Sequence, residues 1–270
     1  MTKRAWGAVV AALLAACGDT GPSTTPSGQS ESLRTQLLEL GAALMQESTP
    51  LAPMDIYLVG FHPLKDDPTR QLEAHHYCSQ VNEDFAQCVL FDGNTRGANM
   101  NGVEYIISAR LYETLPEEEK QYWHPHNYEI LSGQLVAPRL PQKAELALMR
   151  SKLGTYGKTW HFWNTGHYGT TGDALPLGAP RLAWSFNRDG EALPGLVEER
   201  DVRMDVDTGK KRRAREALAA EAQPQAGVDA LRGRFGRETV DLPGVRDVAA
   251  PEEPVAPEGD LPPADSNAPH

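Results

Sequence analysis

Alternating apolar and polar residues recur through the middle of the chain and predict short β-strands. Two such runs, His75–Asn82 and Phe85–Phe91, are separated by the polar residues Glu83 and Asp84, which predicts a hairpin. The same pattern predicts further strands over Ile56–Phe61, Val103–Ser108, Tyr128–Val136, Thr159–Asn164 and Arg181–Phe186. A glycine-rich loop joins the last two of these strands.

In some segments outside these strands, the apolar residues recur at helical spacing. It predicts helices over Glu31–Gln46 and Pro141–Leu153, the second of them ended by Gly154. Pro116–Glu119 has the proline and acidic residues typical of a first helical turn. A regular alternation of strand and helix is absent from the sequence, so we favour an antiparallel sheet over a doubly wound parallel one. The prediction is one α+β domain over residues 31–205, with a mainly antiparallel sheet and a few helices.

The start of the chain has the pattern of an export signal. Two cationic residues precede the apolar run Ala5–Ala16, which is followed by Cys17. A membrane span needs about 20 apolar residues, so this run predicts a cleaved signal peptide over residues 1–16. The segment before Cys17 resembles a bacterial lipobox, which implies lipidation of Cys17 and anchoring in a membrane of the cell envelope, with the outer membrane favoured. Small and polar residues over 17–30 predict a flexible tether.

The net charge of the chain limits its possible partners, and the distribution of charged residues changes past residue 205. The net charge of -11 argues against a nucleic-acid partner, because phosphate binding needs a basic face. Residues 206–240 begin with a cluster of lysine and arginine before an alanine-rich stretch, which predicts a charged, solvated helical extension that could also touch anionic headgroups. Residues 241–270 are acidic and rich in proline, and we predict a disordered tail.

Histidines in the middle of the chain suggest a metal site. His124 and His126 are two residues apart, so they project to the same side of an extended chain. The predicted ligand set adds His76, Glu129 and His161 from neighbouring strand-like runs. Imidazole and carboxylate are ligands of zinc and similar divalent transition metals. The alternative is structural, with the histidines forming hydrogen bonds inside an aromatic core.

The cysteines and glutamates allow further interpretations, which the sequence alone does not decide. Cys78 and Cys88 lie symmetrically about the predicted turn, so a disulfide is allowed but not required. Cys78 could instead be a nucleophile next to His75 and His76, and Glu104 with Glu129 could form a pair of catalytic carboxylates. The sequence contains no GxSxG elbow, HExxH helix, Walker loop or GxGxxG turn. We therefore assign no catalytic residue and favour a non-enzymatic function.

Several stretches together resemble a known family. They are Glu73–Cys78, Asn82–Cys88, Gly102–Ile107, Leu115–Lys120, Trp123–His126, Tyr128–Gly133, Tyr156–His161 and Pro176–Pro180. In this order they resemble the oil-body-associated proteins, known from plant seed lipid droplets, and the likeness spans roughly Phe61 to Asp201. Asn99–Asn101 and Phe162–Thr165 depart from the family pattern, and the lipobox and acidic tail lie outside it. The resemblance implies association with lipid surfaces and no established enzymatic activity.

Two functions follow from these observations. The favoured hypothesis is a lipid-anchored envelope protein whose non-enzymatic domain binds a lipid surface. The competing hypothesis is a zinc-type metal-binding module, or a metal-dependent enzyme, centred on His124 and His126. Their partner would be His75, His76, Glu129 or His161. The two classes differ in whether the histidines converge on one point of the fold.

Overall fold

A computed structural model describes residues 24–45, 50–166 and 168–248, without the side chains of residues 43 and 44. The predicted signal peptide, Cys17 and residues 249–270 of the predicted tail lie outside the described residues. No helix in the described part of the chain is long and apolar enough to cross a membrane.

An antiparallel sheet of seven strands forms the centre of the domain. The strands are β1 (Ile56–Pro63), β2 (Gln71–Asn82), β3 (Phe85–Phe91), β4 (Met100–Ile107), β5 (His124–Pro125), β6 (Tyr156–His161) and β7 (Arg181–Leu182). Their order is β1-β2-β3-β4-β6-β5, with β7 also paired to β6. A separate two-stranded sheet pairs β8 (Arg188–Asp189) with β9 (Val240–Asp241). The sheet and its helices confirm the predicted α+β class.

The predicted hairpin is formed by β2 and β3. Cys78 lies directly opposite Cys88 in the register, and the two are joined by a disulfide. The turn is closed by a hydrogen bond from the backbone N–H of Asp84 to the side chain of Asn82. The disulfide therefore links two neighbouring strands in the middle of the sheet.

The sheet curls, so that its first strand approaches its last. Leu64, just after β1, forms a bridge with Ala183, just after β7. The backbone N–H of Lys65 donates a 2.9 Å hydrogen bond to the carbonyl of Leu182. Since β7 pairs with β6, this closure brings the end of β1 close to β6, which lies four places away in the strand order.

The helices are mostly short. They are α1 (Leu33–Met45), α2 (Ala109–Glu113), α3 (Glu117–Lys120), α4 (Asn127–Leu131), α5 (Gln142–Lys152), α6 (Leu196–Met204) and α7 (Thr208–Arg215), with a 3₁₀ turn at Glu216–Ala220. The predicted strand over Tyr128–Val136 is wrong, because its first part is α4. Short apolar runs fit either period, and here the backbone N–H of Ser132 donates back to the carbonyl of Tyr128 at 2.8 Å.

The segment 206–240 packs against the domain instead of forming a solvated extension. Arg215 is buried and donates from Nη1 to the carbonyls of Ile130 and Leu135. Leu218 and Leu231 belong to the same apolar core cluster as residues of the sheet. Burial of an arginine is tolerated here because its donors are satisfied by carbonyls. The packed core therefore continues well past the predicted boundary at residue 205.

The first residues of the predicted tail are also folded. Leu242 and Val245 are buried in the main core cluster. They follow β9, which pairs Asp241 with Arg188 of β8. The prediction of a tail from residue 241 is thus wrong for its first eight residues, 241–248, which the structure describes.

Candidate metal centre

One face of the curled sheet carries the candidate ligands. Side chains of a strand alternate between faces, and the register aligns His76 of β2 with Leu90, Gly102 and His161 on successive strands. The next row on the same face contains Glu104 of β4. His62 of β1 lies on this face as well, because Leu58 of β1 is paired with His76 and residues 58, 60 and 62 point the same way.

The segment from β5 to α4 supplies three more side chains to this face. His124 is in β5 and pairs with Gly157 of β6. His126 is the N-cap residue of α4, and Glu129 lies within that helix. Although His126 is not extended, its Nε2 atom is 3.2 Å from Nε2 of His124. Exposure is 0% for His124 and 5% for Glu129, so the site is shielded from solvent.

Glu104 is the centre of the cluster. Its Oε2 atom is 2.9 Å from Nε2 of His76 and 4.0 Å from Nε2 of His62. Its Oε1 atom is 3.2 Å from Nε2 of His126 and 3.7 Å from Nε2 of His124. Four imidazole nitrogens therefore surround one carboxylate.

Hydrogen bonds on the far side of two rings assign their tautomers. Nδ1 of His76 lies 3.0 Å from the carbonyl of Ala74, which can only accept, so this nitrogen carries the proton. Nδ1 of His126 lies 2.8 Å from the hydroxyl of Thr155, and that hydroxyl already donates to the carbonyl of Lys152. In the neutral form, both rings therefore present the lone pair of Nε2 to Glu104. This is the arrangement by which metal-bound histidines are commonly held.

A relay of the same kind orients His62. Nδ1 of His161 faces the carbonyl of Asn101 at 3.3 Å, so its Nε2 is the acceptor. Nε2 of His161 lies 3.1 Å from Nδ1 of His62, which must then be the donor. The remaining nitrogen of His62, Nε2, then carries a lone pair that faces Glu104. His161 thus supports His62 from behind.

Burial and neighbouring charges determine the protonation of the site. Burial alone would raise the pKa of the Glu104 carboxyl, but the imidazoles of His126 and His76, which lie within hydrogen-bonding distance of it, hold this pKa well below its usual range in the metal-free chain. Burial lowers the pKa of His62 and lowers that of His124 to about 3. Burial and the charge of Glu104 raise the pKa of Glu129 well above its usual range. His62 and His124 are thus neutral imidazoles near pH 7.

Two buried polar atoms at the site are unsatisfied. Nδ1 of His124 and Oε1 of Glu129 have no hydrogen-bond partner among the described residues. An unpaired buried polar atom costs about 1–3 kcal/mol, so such atoms are uncommon in native proteins. A cation near Glu129 would favour its charged form and compensate for its burial.

Gly157 keeps space open beside these groups. A Cβ atom at this position would lie 2.3 Å from Oε1 of Glu104 and 2.6 Å from Nε2 of His126. Any other residue would therefore occupy the space between the carboxylate and the imidazole. The gap is where a cation held by both groups would sit.

The structure brings most of the predicted ligand set together. His76, His124, His126 and Glu129 each belong to a group of side chains whose ligand atoms lie within 4.8 Å of one another. His161 lies behind His62, with its Nε2 atom 3.1 Å from Nδ1 of His62. The sequence places Glu104 in a strand-like run near these histidines but does not include it in the predicted ligand set, and it does not point to His62. Extending the alternation of β1 by one residue would have placed His62 on the ligand face.

Neither the cysteines of the disulfide nor His75 belongs to the candidate ligand set, although Cys88 is paired with Glu104 in the register. Cys78 is in the disulfide and is therefore not a free thiolate nucleophile. His75 points to the opposite face of the sheet from His76, where its Nδ1 lies 2.7 Å from the hydroxyl of Tyr57. Its Nε2 lies 2.9 Å from the carboxylate of Glu73. These groups do not contribute to the centre around Glu104.

Comparison with known proteins identifies relatives of the chain. The model of the family described as "Protein of unknown function (DUF1264)" matches residues 48–219. Oil body-associated protein 2A of Arabidopsis thaliana is 38% identical over 190 residues, covering 70% of this chain and 75% of the relative. Oil body-associated protein 1A of Zea mays is 37% identical over 215 residues, covering 77% and 87%. No solved structure matches the chain. The chain therefore belongs to the family of the oil body-associated proteins.

Proposed function

We propose that this protein binds a divalent transition metal at the centre formed by Glu104, His124 and His126. One observation carries the proposal. The three ligand atoms are separated by 3.2, 3.2 and 3.7 Å. With metal–ligand bonds of 2.0–2.1 Å, the ligands of a tetrahedral ion are separated by about 3.3 Å. The triangle thus has the dimensions of one face of a metal coordination shell.

Proton counting favours a cation over a purely structural hydrogen-bond network. The assigned tautomers direct the lone pairs of His62, His76 and His126 at an ionised carboxylate. Lone pairs that face each other in a buried site repel unless a proton or a cation lies between them. Burial disfavours charged imidazole, as the lowered pKa of His62 illustrates. A divalent cation bound at Glu104 satisfies the acceptors that face it, without a charged imidazole.

The donor set selects the class of metal. Imidazole nitrogen with carboxylate oxygen suits zinc, iron, manganese or nickel better than calcium or magnesium, which prefer oxygen ligands alone. The carbonyl of Ala74 and the hydroxyl of Thr155 orient two of the rings, as expected for the outer shell of a metal site.

Metal content of the full chain without an affinity tag tests this proposal. The protein is stripped with a chelator, dialysed against zinc, and analysed by mass spectrometry for bound metal. We expect at least one zinc ion per natural chain, loss of zinc in Glu104→Gln, and a lower zinc content in His126→Gln. His75→Asn is the matched control, because it removes a buried histidine from the other face of the same strand. A metal-free natural chain that is folded would overturn the proposal.

A second candidate function is association with a lipid surface, and two observations favour it. The relatives are named for association with oil bodies. Helix α1 exposes large apolar side chains to solvent, namely Leu33, Leu37, Leu38, Leu40 and Met45. A helix with an exposed apolar face can lie in the interface of a bilayer. With the lipid anchor at Cys17 that the sequence predicts, the helix would lie close to the membrane.

Sedimentation with vesicles tests this candidate. We expect the full chain to pellet with phospholipid vesicles, and a chain with Leu33→Gln, Leu37→Gln and Leu40→Gln to remain largely in the supernatant. Mass spectrometry of protein from its native host tests the anchor separately. An unmodified thiol at Cys17 would contradict the anchor, and equal sedimentation of both chains would contradict the role of α1.

A further inference from the structure

The two oxygens of Glu104 face different pairs of histidines. Oε2 is directed at His76 and His62, and Oε1 is directed at His124 and His126. Each oxygen, with its two nitrogens, is a set of three ligand atoms close enough to hold one ion. The carboxylate thus belongs to two coordination sets at once.

The groupings of the ligand atoms separate these sets. Three groups have all their ligand atoms within 4.8 Å of one another: His62, His76 and Glu104; Glu104, His124 and His126; and His62, His124 and Glu129. None of the three joins His76 to His124 or His126. One ion bound to Glu104 would therefore leave either His76 or the His124–His126 pair without a metal.

We infer that the centre holds two divalent transition-metal ions bridged by Glu104. The first ion is bound by His62, His76 and Oε2, and the second is bound by His124, His126 and Oε1. Carboxylate-bridged ions of this kind lie about 3.5–4 Å apart. The inference rests on the proposed metal-binding function and adds the number and arrangement of the ions.

Glu129 completes the arrangement. It is grouped with His62 from the first set and with His124 from the second, so it lies beside both ion positions. Its Oε1 atom is buried and has no hydrogen-bond partner in the part of the chain that the structure describes. A second carboxylate also offsets the charge of two divalent ions, which a single Glu104 would leave largely unbalanced. Glu104 and the four imidazoles supply three ligands to each ion, and Glu129 offers a further carboxylate beside both.

Cobalt and manganese loading of the full, untagged chain test the inference. Equilibrium dialysis with Co²⁺ should give two ions per chain. His76→Gln and His126→Gln should each lower this number to one, because each removes a ligand of only one ion, and His75→Asn should leave it at two. Electron paramagnetic resonance of the Mn²⁺ form should show two coupled ions in the natural chain and an uncoupled ion in either single variant.

The outcomes separate this inference from the proposed function. Two coupled ions in the natural chain support both, even if a variant fails to fold. A single ion that is lost in His126→Gln overturns the two-ion arrangement and leaves the metal-binding function intact. No bound ion in the folded natural chain overturns both.

Discussion

His62 and His161 are 99 residues apart in the chain, yet Nδ1 of one lies 3.1 Å from Nε2 of the other. The curl of the sheet brings them together, because it carries the end of β1 to the strand that contains His161. The carbonyl of Asn101 fixes the tautomer of His161, and through it the lone pair that His62 presents to Glu104. The global closure of the fold thus determines the chemistry of one ligand.

The support of His62 by His161 predicts an effect on affinity without loss of a ligand. We expect His161→Ala to weaken metal binding by about 10- to 100-fold, the usual effect of removing a group that orients a ligand. Competition with a chelator measures the affinity, and saturating metal measures the stoichiometry. An unchanged affinity would show that His161 does not orient His62, whereas loss of an ion at saturation would make His161 a ligand.

The space beside Gly157 gives a second prediction. Gly157→Ala places a methyl group 2.3 Å from Oε1 of Glu104, so we expect loss of the metal held by this oxygen and His126. Gly97→Ala is the control, because a Cβ at Gly97 meets nothing within 4 Å. Circular dichroism checks that both variants fold, and elemental analysis measures their metal. A folded Gly157→Ala protein with full metal content would rule out an ion in this gap.

The buried histidines predict that acid destabilises the metal-stripped protein. Burial lowers the pKa of His124 to about 3, so between pH 6.5 and 3 the unfolded chain binds a proton that the folded chain does not. The free energy of unfolding must then fall with decreasing pH, by at most about 1.4 kcal/mol per pH unit for one such group. Burial also lowers the pKa of His62, so this residue contributes to the loss of stability in acid in the same direction.

Glu104 and Glu129 change the stability with pH in opposite directions. Glu104, with a lowered pKa, adds to the acid loss below about pH 4.5, whereas Glu129, with a raised pKa, lowers stability as the pH rises above that value. Urea denaturation between pH 6.5 and 4.5 measures the net slope. We expect His124→Asn to flatten it, and an identical slope in the variant would contradict a neutral, buried His124.

The disulfide predicts a loss of stability on reduction. It closes a loop with a sequence separation of 10 residues, and a bridge of this size typically stabilises a fold by about 2–4 kcal/mol. We expect the double change Cys78→Ser and Cys88→Ser to lower the free energy of unfolding by a similar amount. Reductant should destabilise the natural chain and leave the double variant unchanged. Equal stability of both chains would contradict a stabilising role.

The hairpin and the histidine pair could be predicted from local sequence. Alternation around a polar turn specifies β2 and β3, and a spacing of two residues brings His124 and His126 together. The pairing of β6 with β4, in contrast, depends on contacts between distant segments. For the same reason, the proximity of His62 to His161 could not be derived from spacing.

Local sequence patterns give the wrong prediction at two places. The alternating apolar residues around Tyr128 and Ile130 fit a strand, but burial on all sides lets a short helix use them equally well. The lysines and arginines after residue 205 suggested a solvated helix. Arg215 is buried instead, where carbonyl groups and Glu145 satisfy its guanidinium. Charge alone does not show which cations find buried partners.

Anomalous diffraction from crystals grown with zinc is the most direct test of metal binding at Glu104. Data collected on either side of the zinc absorption edge locate bound zinc without reference to the protein atoms. We expect a peak about 2.0–2.2 Å from an oxygen of Glu104 and from Nε2 of His126. A well-ordered centre with no anomalous peak near Glu104 would contradict it.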